Sequence, residues 1–181
     1  MSSSDPRTDE QLVDALNGGD AAAFEALYYR YRDWVARLAQ RFCGNEADAL
    51  DVVQETFLYF HRKFPGFVLS ARLTTFLYPV VKHLALAARR KRGRMGTDLG
   101  AVELMAAPQA EAREEGLEDL RAVVAAVPEI HREVLLMRYV DEMSLEEIAK
   151  GLEIPLGTVK SRIHNALKML AEDERTKRFF Q

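Results

Sequence analysis

Apolar residues along this chain recur every three or four positions and nowhere alternate, so each periodic segment predicts an α-helix and none predicts a strand. Thr8 followed by Gln11 has capping-box spacing and opens a short helix that Gly18-Gly19 ends. Asp20 suits the N-cap of the next, in which Phe24, Leu27, Tyr31, Trp34, Leu38 and Phe42 keep helical spacing up to Gly44. Asn45 starts a third, with Leu50, Val53, Phe57, Phe60 and Phe64 facing inward and Asp51, Gln54 and Glu55 outward. A Pro-Gly pair and a lost period mark residues 65–70 as a loop. A long fourth helix is expected from about Ser70 to Arg92, kinked at Pro79, whose ring displaces a backbone hydrogen bond.

Beyond Gly93 the pattern dissolves into Gly, Ala, Met, Pro and acidic residues, a linker composition. Periodicity resumes over Leu117–Val127, where Pro128 stops it, and again over Glu129–Val140 with Ile130, Val134, Leu135 and Tyr139. Ser144 and Glu147 form a second capping box, Gly151 is expected to end that helix, and Pro155 suits the first turn of the last one. The pattern therefore predicts an all-α chain of two small helical domains, 8–94 and 117–171. A flexible acidic linker, 95–116, joins them, and 172–181 is a tail without assignment.

Charge changes this picture only once the chain is divided. The 181 residues sum to −3, but residues 1–94 hold 14 Lys/Arg against 11 Asp/Glu, and residues 95–119 hold one Arg against seven acids. The acidity sits in the middle and conceals a basic N-terminal half, in which residues 82–94 carry six Lys/Arg and no acid. A single cysteine, Cys43, forbids an internal disulfide, and the four histidines (61, 83, 131, 164) lack ligand spacing, so neither a structural metal nor a cofactor is expected. No run approaches the ~18 apolar residues of a membrane span. The polar, acidic start lacks the order of a signal peptide, so a cytoplasmic protein without membrane insertion is expected.

Three constellations carry candidate chemistry. The last two helices have helix-turn-helix spacing, with residues 129–140 available as a supporting third helix. Spacing alone also fits an ordinary helical hairpin. The final helix, however, sets Val159, Ile163 and Leu167 on one stripe and Thr158, Lys160, Ser161, His164 and Asn165 on the other, and residues 156–168 contain no acid. Base edges and phosphates repel carboxylates and accept such donors. The basic run 82–94 could be a solvated helix end. It exceeds that need, and Thr74, Thr75, Phe76 and Tyr78 before it include groups that could stack on unpaired bases, although Phe76 itself fits a core position. On the third helix, Glu46, Asp48, Asp51 and Glu55 lack a histidine at usable spacing, so a polar docking face for a basic partner fits better than an acid–base site.

Two stretches resemble one family. "EADALDVVQETFLYFHRKFPGF" followed by "TTFLYPVVKHLALAARRKR" resembles sigma region two, and "VPEIHREVLLMRYVDEMSLEEIAKGLEIPLGTVKSRIHNALKML" resembles sigma region four. Their order and short separation are similar to bacterial sigma factors of the extracytoplasmic-function group. The resemblance implies a non-enzymatic transcription initiation factor that binds core RNA polymerase and promoter DNA and is restrained by an anti-sigma factor or another device. It implies that Asp51, Gln54 and Glu55 dock on the polymerase clamp helices. Loop 65–75 and the start of the fourth helix would capture and melt the minus-ten element, with Arg72, Thr74, Thr75, Tyr78, Lys82, His83, Arg89 and Arg90 as contacts. Thr158, Lys160, Ser161 and Asn165 would read the minus-thirty-five element, flanked by Arg162, His164 and Lys168, and the linker would thread toward the active-site channel. The chain departs from the family pattern at Phe76 (commonly Trp), Pro79 (Arg), His83 (Asn), Glu153 (the turn glycine) and Asn165 (often basic). A stand-alone helix-turn-helix regulator is the competing reading, and a nucleic-acid enzyme the weakest.

Overall fold

The computed structural model describes residues 5–94 and 115–176, and among these every regular element is an α-helix. The helices are α1 (Asp9–Asn17), α2 (Ala21–Cys43), α3 (Glu46–His61), α4 (Leu73–Arg94), α5 (Glu115–Ala126), α6 (Glu129–Tyr139), α7 (Leu145–Leu152) and α8 (Leu156–Glu172). They form two bodies, α1–α4 and α5–α8. Most of the expected linker lies outside the described residues.

The starts of the helices follow from side chains that satisfy the first free backbone N–H groups. Thr8 and Gln11 exchange both bonds of a capping box, as do Ser144 and Glu147. Asp20 accepts from the N–H of Ala22 and Asn45 from that of Asp48. Gly44 closes α2 in the left-handed conformation that glycine adopts without strain.

In the first body α2 packs against α1, α3 and α4, and Leu12, Leu27, Val35, Leu38, Val53, Phe60 and Leu77 are buried. α4 begins at Leu73 rather than Ser70 and continues through Pro79, whose ring faces solvent. The missing proline N–H removes the donor that would serve the carbonyl at position 75, yet the buried Leu73, Leu77, Val81 and Ala85 hold both halves of the helix on the core. In the second body α8 lies on α6 and α7, and Val123, Val127, Leu135, Ala166 and Leu170 form a continuous core that also seats α5.

Four expectations are corrected. Leu50 does not face inward but is 55% exposed. Ile130 and Tyr139 are likewise exposed, so α6 buries Val134, Leu135 and Met137 instead. Gly151 does not end α7: it is buried inside the helix, and Glu153 supplies the left-handed cap at φ 54°. α5 starts at Glu115, two residues inside the segment assigned to the linker.

Candidate nucleic-acid interface

The α7–α8 unit is built as its spacing predicts. After the Glu153 cap, Pro155 precedes the first turn of α8, and its carbonyl receives the N–H groups of Thr158 and Val159. Burial of Val159, Ile163, Ala166 and Leu170 fixes the rotation of α8. That rotation exposes Lys160, Ser161, His164, Asn165 and Lys168, while Thr158 and Arg162 are half-buried at the flanks. All seven predicted residues of this helix therefore lie at or beside a single solvent-facing surface. On α6, the half-buried His131 donates from Nδ1 to the Arg162 carbonyl at 3.2 Å, which ties the middle of the helix to its support. Ser161 Oγ donates to the Thr158 carbonyl at 3.0 Å, leaving the hydroxyl oxygen to act as an acceptor toward solvent. Lys168 pairs with Glu172 at 3.8 Å, an exposed i,i+4 contact worth no more than ~0.5 kcal/mol and easily exchanged for a phosphate.

The α3–α4 region divides the other predictions. Arg72, His83 and Arg90 are exposed, and Lys82 and Arg89 half-buried, so the basic flank exists. The stacking platform does not. Tyr78 is 1% exposed, with its ring edge-on to Phe42 of α2 at 6.1 Å. Thr74 and Thr75 are also buried, their hydroxyls without a hydrogen-bond partner among the described residues. These three side chains pack the base of α4, and the expectation that they touch DNA is corrected. Half-buried Phe76 belongs to an aromatic cluster with Tyr59, Phe60 and Phe67, the last at 4.8 Å. Phe67 thereby draws the α3–α4 loop onto the helices and leaves the next residue, Val68, 79% exposed.

On α3 the three predicted docking residues, Asp51, Gln54 and Glu55, are all exposed. Leu50 and Leu58 are exposed beside them, so this face is a carboxylate patch flanked by apolar groups. Leu50 was missed because it stands seven residues before the buried Phe57, nearly on the same helical stripe. Its proximity to Asp51 was the available signal. Among the described residues no group of three or more His, Cys, Asp or Glu is placed to hold a metal ion, and no helix is long and apolar enough to cross a membrane.

Comparison with known proteins matches the two bodies separately. The chain fits the family model "Sigma-70 region 2" over residues 27–95 and "Sigma-70, region 4" over residues 117–170. It is 33% identical over 177 residues to the ECF RNA polymerase sigma-E factor of Escherichia coli (strain K12), covering 90% of this chain and 92% of that protein. It is 29% identical over 180 residues to the ECF RNA polymerase sigma factor SigW of Bacillus subtilis (strain 168), covering 92% and 96%. Among solved structures it superposes with TM-score 0.65 on the sigma factor RpoE in complex with the anti-sigma factor NepR from Bartonella quintana. That match has 21% identity and covers 82% of this chain and 94% of that one.

Proposed function

The chain belongs to the ECF sigma factors, which direct RNA polymerase to promoters, and we propose that it divides this task among three surfaces. The acidic face of α3, Asp51, Gln54 and Glu55 with Leu50 and Leu58 beside them, docks core polymerase. The exposed tip of the α3–α4 loop, with Arg72, Lys82, His83, Arg89 and Arg90, captures the unpaired strand of the minus-ten element. The solvent face of α8 reads the minus-thirty-five element in the major groove.

The observation that carries this reading is the face of α8. Its exposed residues between 156 and 168 include Lys, Ser, His and Asn and no acid, and its opposite side is fully committed to the core. A surface solvated only by water has no need to exclude carboxylates, whereas one facing phosphates and base acceptors does. The protein recruits and positions; it catalyses no reaction. A stand-alone regulator would need no polymerase-docking region, and the presence of regions two and four in one chain favours the initiation factor. We also place it in the cytoplasm with an anti-sigma factor among its partners, as in the Bartonella quintana complex.

The test is transcription by core polymerase from a library randomised over both promoter elements. Replacing Lys160, Ser161 and Asn165 together by Ala should flatten base preference in the upstream element alone. Reversing charge at Asp51 and Glu55 should lower output and core affinity with base preference intact, because desolvated carboxylates facing basic groups contribute several kcal/mol. Flattening of the downstream element by the α8 variant would refute the division of labour.

A further inference from the structure

We infer that Asn17, the last residue of α1, is a positioning residue for minus-ten recognition, acting through the backbone of the α3–α4 loop. The inference rests on the proposed role of that loop.

The side-chain amide of Asn17 makes two bonds to adjacent loop residues. Its Nδ2 donates to the Phe67 carbonyl at 2.9 Å, and its Oδ1 accepts the Gly66 N–H at 2.7 Å. The partners lie 50 and 49 residues away in sequence, so the contact is tertiary and joins α1 to a loop whose own helices are α3 and α4. A carboxamide is the side-chain group that offers a donor and an acceptor side by side in one plane, matching a backbone carbonyl and the preceding N–H. Gly66 holds φ at 103°, a region that side-chain-bearing residues rarely adopt, so glycine suits the turn that brings its N–H and the Phe67 carbonyl to the same amide.

The next residue is fixed from the other side. The Phe67 ring meets Phe60 at 5.5 Å, Phe64 at 5.4 Å and Phe76 at 4.8 Å. Residues 66 and 67 are thus clamped between an amide and an aromatic cluster, and the chain leaves this pedestal directly into exposed Val68 and Ser70. A base captured at the tip is discriminated by the position of groups only one to three residues downstream of the clamp. Loss of the clamp would let the tip sample several positions, and discrimination suffers before affinity for the polymerase does, because the proposed docking face lies on α3 and not on this loop.

The experiment uses the full chain with core polymerase and compares Asn17→Ala, which removes both bonds, with Asn17→Asp, which keeps the acceptor and loses the donor. Two readouts are taken: amide hydrogen exchange of the free protein, and base preference across a randomised minus-ten element at matched holoenzyme occupancy. For Asn17→Ala we expect Gly66 exchange to rise about tenfold while core amides of α2 and α3 hold, and preference for the favoured base to fall about tenfold. Asn17→Asp keeps the acceptor for Gly66 but sets a carboxylate oxygen against the Phe67 carbonyl, so Gly66 should stay better protected than with Asn17→Ala while the base preference falls about as far. Val68→Ala and Ser70→Ala report on the loop itself. If these tip variants alter minus-ten preference and both Asn17 variants leave it untouched, Asn17 is structural only and the inference is overturned. If the tip variants are also silent, the role of the loop is wrong, and the inference falls with it. A general rise in exchange across α2 and α3 with Asn17→Asp would likewise overturn the positioning role.

Discussion

Arg92, near the end of α4, binds Asp48 in the first turn of α3, with Nη1 and Oδ2 2.6 Å apart although the two residues stand 44 positions apart in the chain. The guanidinium also donates through Nη2 to the Cys43 carbonyl at 2.9 Å, and Asn45 Nδ2 donates to the same Asp48 oxygen at 2.8 Å. One cation of the basic run is thereby spent on holding α4 against the α2–α3 junction. Arg90 and Lys91, its neighbours, are exposed.

This divides the basic run into cations of different use. Arg92→Ala should destabilise the first body by about 1–2 kcal/mol, since it strips a partly shielded carboxylate and a carbonyl of their donor. It should change the salt dependence of single-strand binding little. Arg90→Ala should do the reverse, sparing stability and reducing the log–log salt slope by about 0.7. Urea unfolding and binding to a minus-ten oligonucleotide at several salt concentrations test the pair. A slope that falls with Arg92→Ala would show that Arg92 leaves Asp48 for phosphate when DNA binds.

The parts of the fold that were legible are those encoded within three or four residues. Thr8 with Gln11, Ser144 with Glu147, and the Asp20 and Asn45 caps each satisfy backbone groups that lie next to them in sequence. The polar face of α8 was legible for the same reason: the buried Val159, Ile163 and Ala166 fix its rotation from within the helix. What failed depended on distant partners. Whether Tyr78 faces solvent or core is decided by packing against α2, where Phe42 meets its ring, and Leu50 is exposed for want of a covering neighbour that its own helix cannot supply. The partners of Arg92 and Asn17 stand more than forty positions away in the chain. Helical periodicity has no access to such pairings.

Glu153 offers a stability test at the turn of the helix-turn-helix. It holds φ 54° and ψ 42°, where its Cβ crowds the backbone, while its N–H and that of Ile154 close α7. Glycine avoids that crowding, at some entropic cost in the unfolded chain. Glu153→Gly should therefore stabilise the second body by about 0.5–1 kcal/mol. Thermal unfolding followed by circular dichroism should show a transition raised by a few degrees. The fluorescence of Trp34, the sole tryptophan and a residue of α2, should report an unmoved transition for the first body. A drop in stability would mean that the Glu153 side chain contributes more than its backbone strain removes.

Cys43 should be chemically silent in the native protein. Its side chain is buried, and burial, reinforced by the nearby Asp48 charge, pushes the thiol up to about 11. The reactive thiolate is therefore scarce at pH 8, and its fraction should keep rising with pH up to about 11. Labelling with an aromatic disulfide reagent at pH 8 should be roughly a hundredfold slower than in denaturant. Rapid stoichiometric labelling of folded protein would show that the α2–α3 junction opens readily, and the Arg92 bonds would then be weaker than their geometry indicates.

The sharpest test of the α8 surface contrasts Asn165 with Arg162. Asn165 is exposed on the face opposite Val159 and Ile163, where a carboxamide can pair with adenine through one donor and one acceptor. Arg162 is half-buried at the flank, so in the proposed placement of α8 its long side chain would reach a phosphate more readily than a base edge. A good bidentate base contact discriminates by about 1–3 kcal/mol, whereas a phosphate contact weakens all sequences alike. Asn165→Ala should therefore relax preference at one position of the minus-thirty-five element by about tenfold and leave the others unchanged. Arg162→Ala should lower transcription from every library member by a similar factor and reduce the salt slope of duplex binding by about 0.9. Wild type and both variants are compared with the same core enzyme on a library randomised across that element. A uniform loss with Asn165→Ala, together with a changed base preference with Arg162→Ala, would exchange their roles. That result would require α8 to enter the groove rotated toward its Arg162 flank, with the Lys160–His164 edge turned to the backbone.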